Sequence, residues 1–147
     1  MIYQILKHAH SGLRWILLVF LILAILNSFY KLLLKSDYLK FDKIISIAGL
    51  SSVHLQFIIG LILYFISPVV IFKAESMSNS LLRFFLIEHA ALMLLSVITI
   101  TIGYRFVKKA AHSSRKHLNI LLFYSIALLV ILISIPWPWR IPGTGWF

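Results

Sequence analysis

The sequence has no cysteine. That excludes disulfides, cysteine-ligated iron–sulfur clusters and thiolate-bound metals, and leaves the redox compartment open. Acidic residues are also scarce, four in 147, and charged residues make up only 12%. A soluble domain is about a quarter charged, so an ordinary soluble fold is excluded. There is no HExxH motif, which argues against a compact zinc hydrolase site. No internal repeat is visible, which disfavours a carrier working by alternating access. The net charge of +10 would suit nucleic acid in a soluble protein. Here Lys and Arg gather in loops between apolar runs, where lipid headgroups account for them, and no nucleic-acid partner is expected.

What the chain does have is apolar length. It is 61% hydrophobic, with a mean hydropathy of +0.99. Four stretches, at 16–34, 44–66, 81–102 and 118–135, are each about long enough to cross ~30 Å of hydrocarbon. The expected fold class is an all-α integral membrane protein, an antiparallel bundle of four transmembrane helices. Helices are expected over about 4–34, 44–66, 79–106 and 117–136, in a single membrane domain over 1–147. Short connections leave no room for a second, soluble domain. The first stretch is full length with no small-residue cleavage site after it, so no signal peptide is expected.

The loops set the orientation. Lys31, Lys35, Lys40 and Lys43, with Arg105, Lys108, Lys109, Arg115 and Lys116, put nine basic residues on one side. Lys7, Arg14, Lys73, Arg83 and Arg140 put five on the other. The bias makes the nine-residue side cytoplasmic and places both termini outside. Pro68 is expected to stop the second helix, and Ser78, Asn79 or Ser80 to cap the third. The tail IPWPWRIPGTGWF, residues 137–147 with what precedes them, cannot continue a helix. Its Trp residues read as an interfacial belt, or as a docking surface for another subunit.

Histidines are the candidate functional residues. In HAHSGLRW, His8 and His10 point ~200° apart on a helix. His10 and Arg14 are four apart and share a face. An imidazole on iron with a guanidinium on a propionate one turn away suits haem, and Gly12 allows close approach. A wet amphipathic turn at the headgroups is the alternative. His54 lies about ten residues from either end of its stretch. Imidazole is too short to snorkel from there, so it needs a ligand or a hydrogen bond to a neighbouring helix. His89 heads a face through Met93, Ser96, Ile100 and Gly103, whose small residues favour the bundle interior. Glu88, an acid inside an apolar stretch, reads as a structural partner for Arg83 or Arg14, as a proton carrier, or as a hydrogen-bond partner for a quinol headgroup. His112 and His117 stand among cations and read as solvated.

Two axial imidazoles and apolar walls are what haem requires, and four-helix bundles host it. His10, His54 and His89 supply three imidazoles, of which two would hold the iron. A pair of His54 and His89 differs in depth by ~3–7 Å. A pair of His10 and His89 sits on parallel helices, diagonally opposed, if helix one enters the membrane near Ile5.

The segments HAHSGLRW, HLQFIIGLILYFISP, IEHAALML with TIGY, and IPWP resemble small bacterial four-helix cytochrome-b-like membrane proteins. The layout is similar to half of haem A synthase and to small four-helix b-type cytochromes. The resemblance implies haem b, electron transfer with quinones or a respiratory complex, and a bacterial inner membrane. His10, His54 and His89 are the matching positions. The chain departs from two-haem cytochromes in lacking a His within helix four, and from haem A synthase in lacking its duplication. The alternative is an accessory subunit without cofactor in a larger membrane assembly.

Overall fold

A backbone that crosses hydrocarbon must satisfy its own N–H and C=O groups, and a helix does so within one segment. The computed structural model, which describes residues 1–141, forms four such helices. They are α1 (Ile2–Leu33), α2 (Lys40–Ile66), α3 (Ser80–Lys109) and α4 (Ser113–Ser134), each long and apolar enough to cross a membrane. A 3-10 turn, Ala74–Ser78, lies between α2 and α3, and no strand occurs among the described residues. The chain is thus an all-α, four-helix, multi-pass membrane protein.

Several helix ends run past the apolar stretches because polar residues complete the terminal turns, whereas α1 and α4 stop at Leu33 and Ser134, short of the expected 34 and 136. Asp42 accepts a hydrogen bond from the Leu39 N–H at 2.6 Å, so α2 starts at Lys40 rather than at residue 44. Lys108 and Lys109 form the last turn of α3, which reaches 109 rather than 106. Basic side chains there oppose the negative end of the helix dipole. The Asn79 side chain caps α3, accepting from the N–H groups of Leu81 and Leu82 at 3.0 and 3.1 Å. α2 stops at Ile66, just before Ser67 and Pro68. Lys35 turns the chain out of α1 with a left-handed φ of 51°. Of the expected tail, residues up to Ile141 are described, and the remainder lies outside the described residues.

α1 packs on α2 and α4, and α3 on α4 and more sparsely on α2, so α1 and α3 face each other diagonally. The core contains Leu17, Leu21, Val53, Ile100, Ile120 and Ala127. Large apolar side chains such as Val19, Leu26, Ile58, Leu95 and Leu129 point outward. Against lipid tails there is no hydrophobic drive between helices, so close packing and interhelical hydrogen bonds hold the bundle. Gly103 supplies the close packing: a Cβ there would collide with Phe123 of α4. The Tyr124 hydroxyl supplies a bond, donating to the Ser46 carbonyl at 2.8 Å.

The end that holds the α1–α2 and α3–α4 connections is polar and basic. Asp42, 1% exposed, accepts from Lys31 Nζ at 2.7 Å and Asn27 Nδ2 at 2.6 Å. Burial raises the pKa of the nearby Tyr38 phenol, so it stays protonated. His112 is exposed just before α4. His117 corrects the expectation of a solvated side chain: it is 0% exposed, with the Tyr38 ring tilted against it at 5.3 Å. α4 begins at Ser113, so His117 already belongs to its second turn and faces inward. The Asp37 backbone lies near the ring, but neither ring nitrogen makes a hydrogen bond of good geometry among the described residues.

Candidate functional site

The other end gathers His10, Arg14 and His89. Because α1 is helical from Ile2, His10 lies two turns inside it. The helix turns His10 inward and His8 outward, where His8 is exposed. Arg14, one turn on, is 8% exposed. Its guanidinium carbon lies 5.4 Å from the Trp15 ring and 5.9 Å from the Trp137 ring, cation–π distances.

His89 arrives from the diagonal helix. A π-helical turn, Phe84–Glu88, precedes it within α3. Such wide turns shift the helix face and often mark functional sites. The His89 Nδ1 lies 2.8 Å from the Ser134 carbonyl of α4. A carbonyl only accepts, so Nδ1 carries the proton and Nε2 keeps its lone pair. The rings of His10 and His89 have centroids 6.4 Å apart at an interplanar angle of 75°. Phe84 and Phe85 stand 5.9 and 6.2 Å from the His89 ring as an apolar wall.

α2 supplies the floor. A Cβ on Gly60 would stand 2.9 Å from His10 Cε1, so glycine is what lets the imidazole lie against α2. Gln56, one turn earlier, donates from Nε2 to the His10 carbonyl at 2.8 Å. The His10 Nδ1 and Gln56 Oε1 are buried without a hydrogen-bond partner. Trp137 roofs the site: its indole donates to the Leu132 carbonyl at 2.9 Å, meets Trp15 at 6.2 Å, and stacks on Trp139 at 4.8 Å. Trp139 is 69% exposed, whereas Trp137 packs on its own bundle.

His54 stands apart. Its Nδ1 lies 2.8 Å from the Leu50 carbonyl and its Nε2 3.2 Å from the Thr101 hydroxyl of α3. Thr101 is twelve residues beyond His89, about 18 Å of helix. The structure therefore brings two of the three candidate imidazoles together and leaves the third in a helix–helix hydrogen bond. Glu88 pairs with Arg83 at 3.0 Å, both partly exposed. That pair borders a cavity of about 310 Å³ that Phe84 and Arg140 also line.

Among the described residues no three His, Asp or Glu side chains converge on a metal position. The donor set is a pair. Metal–imidazole bonds of about 2 Å put two rings on opposite sides of one ion roughly 6 Å apart, centre to centre. The Ser134 bond fixes one tautomer, the usual partner of a ligating imidazole. A nearly buried Arg beside the pair can hold a carboxylate. Gln56, Gly60 and the π turn were not singled out from sequence. The signal for the first two was their spacing of four, which puts them on one face of α2. Set against family models, curated proteins and solved structures, the chain matches none of them.

Proposed function

We propose that this protein binds haem b between His10 and His89 and transfers electrons near that end of the bundle, with a membrane quinone as partner. The approach of two imidazoles from diagonal helices carries the reading. His10 and His89 would hold the iron, and Arg14 would pair with a propionate. Iron held in this way supplies one-electron redox chemistry. The chain's own part is positional. Ser134 orients His89, Gly60 makes room for His10, and Trp15, Trp137 and Phe84 keep water away. The cavity beside Glu88 would receive a quinol head one aromatic ring from His89, with the Glu88 carboxylate to take the proton that the quinol releases as its electron leaves for the iron.

The charge asymmetry of nine basic residues against five supports an orientation with both termini outside, and the bacterial inner membrane follows from the resemblance to cytochrome-b-like proteins alone. The test is an absorption spectrum of detergent-purified protein from haem-replete cells. Six-coordinate bis-His iron gives a sharp Soret band that shifts on reduction. Protein with no absorption beyond the aromatic band would sink the haem reading and favour an accessory subunit of a larger assembly.

A further inference from the structure

An open groove of about 400 Å³ lies at the opposite, basic end, between α3 and α4. Phe106, Leu118, Leu122 and Phe123 form its walls, with Lys109 and Arg115 beside them. Lys109 closes α3 and Arg115 lies in the first turn of α4, so the cations sit at the membrane-surface end of the groove. The apolar walls run from there toward the membrane centre. Phe106 and Leu122 are 46% and 50% exposed, so the groove opens sideways onto lipid.

No acid lines this groove. The described ion pairs are Lys31–Asp42 and Arg83–Glu88, and neither involves Lys109 or Arg115. This end of the molecule carries nine basic residues against Asp37 and Asp42, a net +7 of the chain's +10. The N-terminus of α4 adds a partial positive charge at the same level. A cationic mouth above an apolar, laterally open slot fits a molecule with a negative head and a hydrocarbon tail.

We propose that this groove binds an anionic phospholipid. The headgroup phosphate lies between Lys109 and Arg115, and one acyl chain runs along Phe106, Leu122 and Phe123. A free phosphate would use the cations alone and leave the apolar slot unexplained. The site needs no haem, so it stands or falls separately from the redox reading.

The test is native mass spectrometry of the full chain released from nanodiscs holding equal phosphatidylglycerol and phosphatidylcholine. The wild type is expected to retain phosphatidylglycerol preferentially. Two basic side chains near a phosphate are together worth roughly a 30-fold preference. The double variant Lys109→Ala, Arg115→Ala is expected to lose it. The charge-preserving pair Lys109→Arg, Arg115→Lys is expected to keep it, as is the control Lys35→Ala, Lys40→Ala. Both target side chains are exposed and outside any described ion pair, so the variants should fold, and circular dichroism checks that they do. Equal retention of the two lipids by the wild type would overturn the proposal. So would a double alanine variant that keeps the preference, or a control that loses it equally, which would mean a diffuse field rather than a site. Displacement of the lipid by inorganic phosphate, with phosphate adducts in its place, would show a soluble-anion site instead.

Discussion

At the residue scale, His10, His54 and His89 divide by their hydrogen bonds. His54 uses one ring nitrogen within α2 and the other toward Thr101 of α3, whereas the rings of His10 and His89 meet edge-on. His10→Ala and His89→Ala are each expected to abolish the six-coordinate spectrum. His54→Ala and His8→Ala are expected to leave band positions unchanged. A normal spectrum from the His10 variant, beside a lost one from the His8 variant, would mean that α1 presents its other face. Gly60 makes a separate prediction. A methyl there meets the His10 ring at 2.9 Å. Gly60→Ala is expected to cost about 1–3 kcal/mol through overpacking and to broaden or shift the Soret band. An unchanged melting temperature together with an unchanged spectrum would show that the ring has slack.

Much of this site could be read from the chain itself. Arg14, one turn from His10, gave that face a second reason to point inward. Ser96 and Gly103 marked the buried side of α3, and both are buried. His54 was harder, because depth in an apolar stretch calls for a polar partner without naming it. Thr101 is such a partner, and a hydroxyl on another helix leaves no trace in the local pattern. His117 misled for the opposite reason. Its neighbours in sequence are cations, but its neighbours in space are Tyr38 and the Asp42 network.

At the scale of elements, the ends of the helices hold the main conflicts and devices. Asp42 joins α1 to α2 by accepting from Lys31, Asn27 and the Leu39 N–H. Removing it by Asp42→Ala leaves Lys31 and Asn27 without their acceptor in a buried setting. The loss is expected to be roughly 3–5 kcal/mol, visible as a lower melting temperature in detergent. A change no larger than that of a surface Lys→Ala control would show that water replaces the carboxylate freely. Lys35 works against the fold in a small way. A side chain at φ of 51° costs about 1–2 kcal/mol that glycine avoids. Lys35→Gly is therefore expected to raise the melting temperature, and a fall would show that the Lys side chain offsets its backbone cost. Hydropathy located all four helices but placed several ends a few residues inside the true ones. The terminal turns are built by caps and charges rather than by apolar side chains.

At the scale of the whole molecule, charge is distributed unevenly between the two ends, +7 at the connecting loops and +3 at the termini. Reporter fusions at the C-terminus read the orientation. Alkaline phosphatase there is expected to be active and a fluorescent protein dark. A bright fluorescent fusion with inactive phosphatase would reverse the assignment and put the histidine pair on the cytoplasmic side.

The diagonal placement of His10 and His89 has a mechanical consequence. Four rods joined along their neighbouring edges form a frame that can shear, as a hinged square leans into a rhombus. One tie from corner to opposite corner removes that freedom. α1 and α3 are opposite corners, and the edge between α2 and α3 is sparsely packed. An ion gripped by both imidazoles would be that tie. It would stiffen the lean of all four posts at once, including the far seam between α3 and α4.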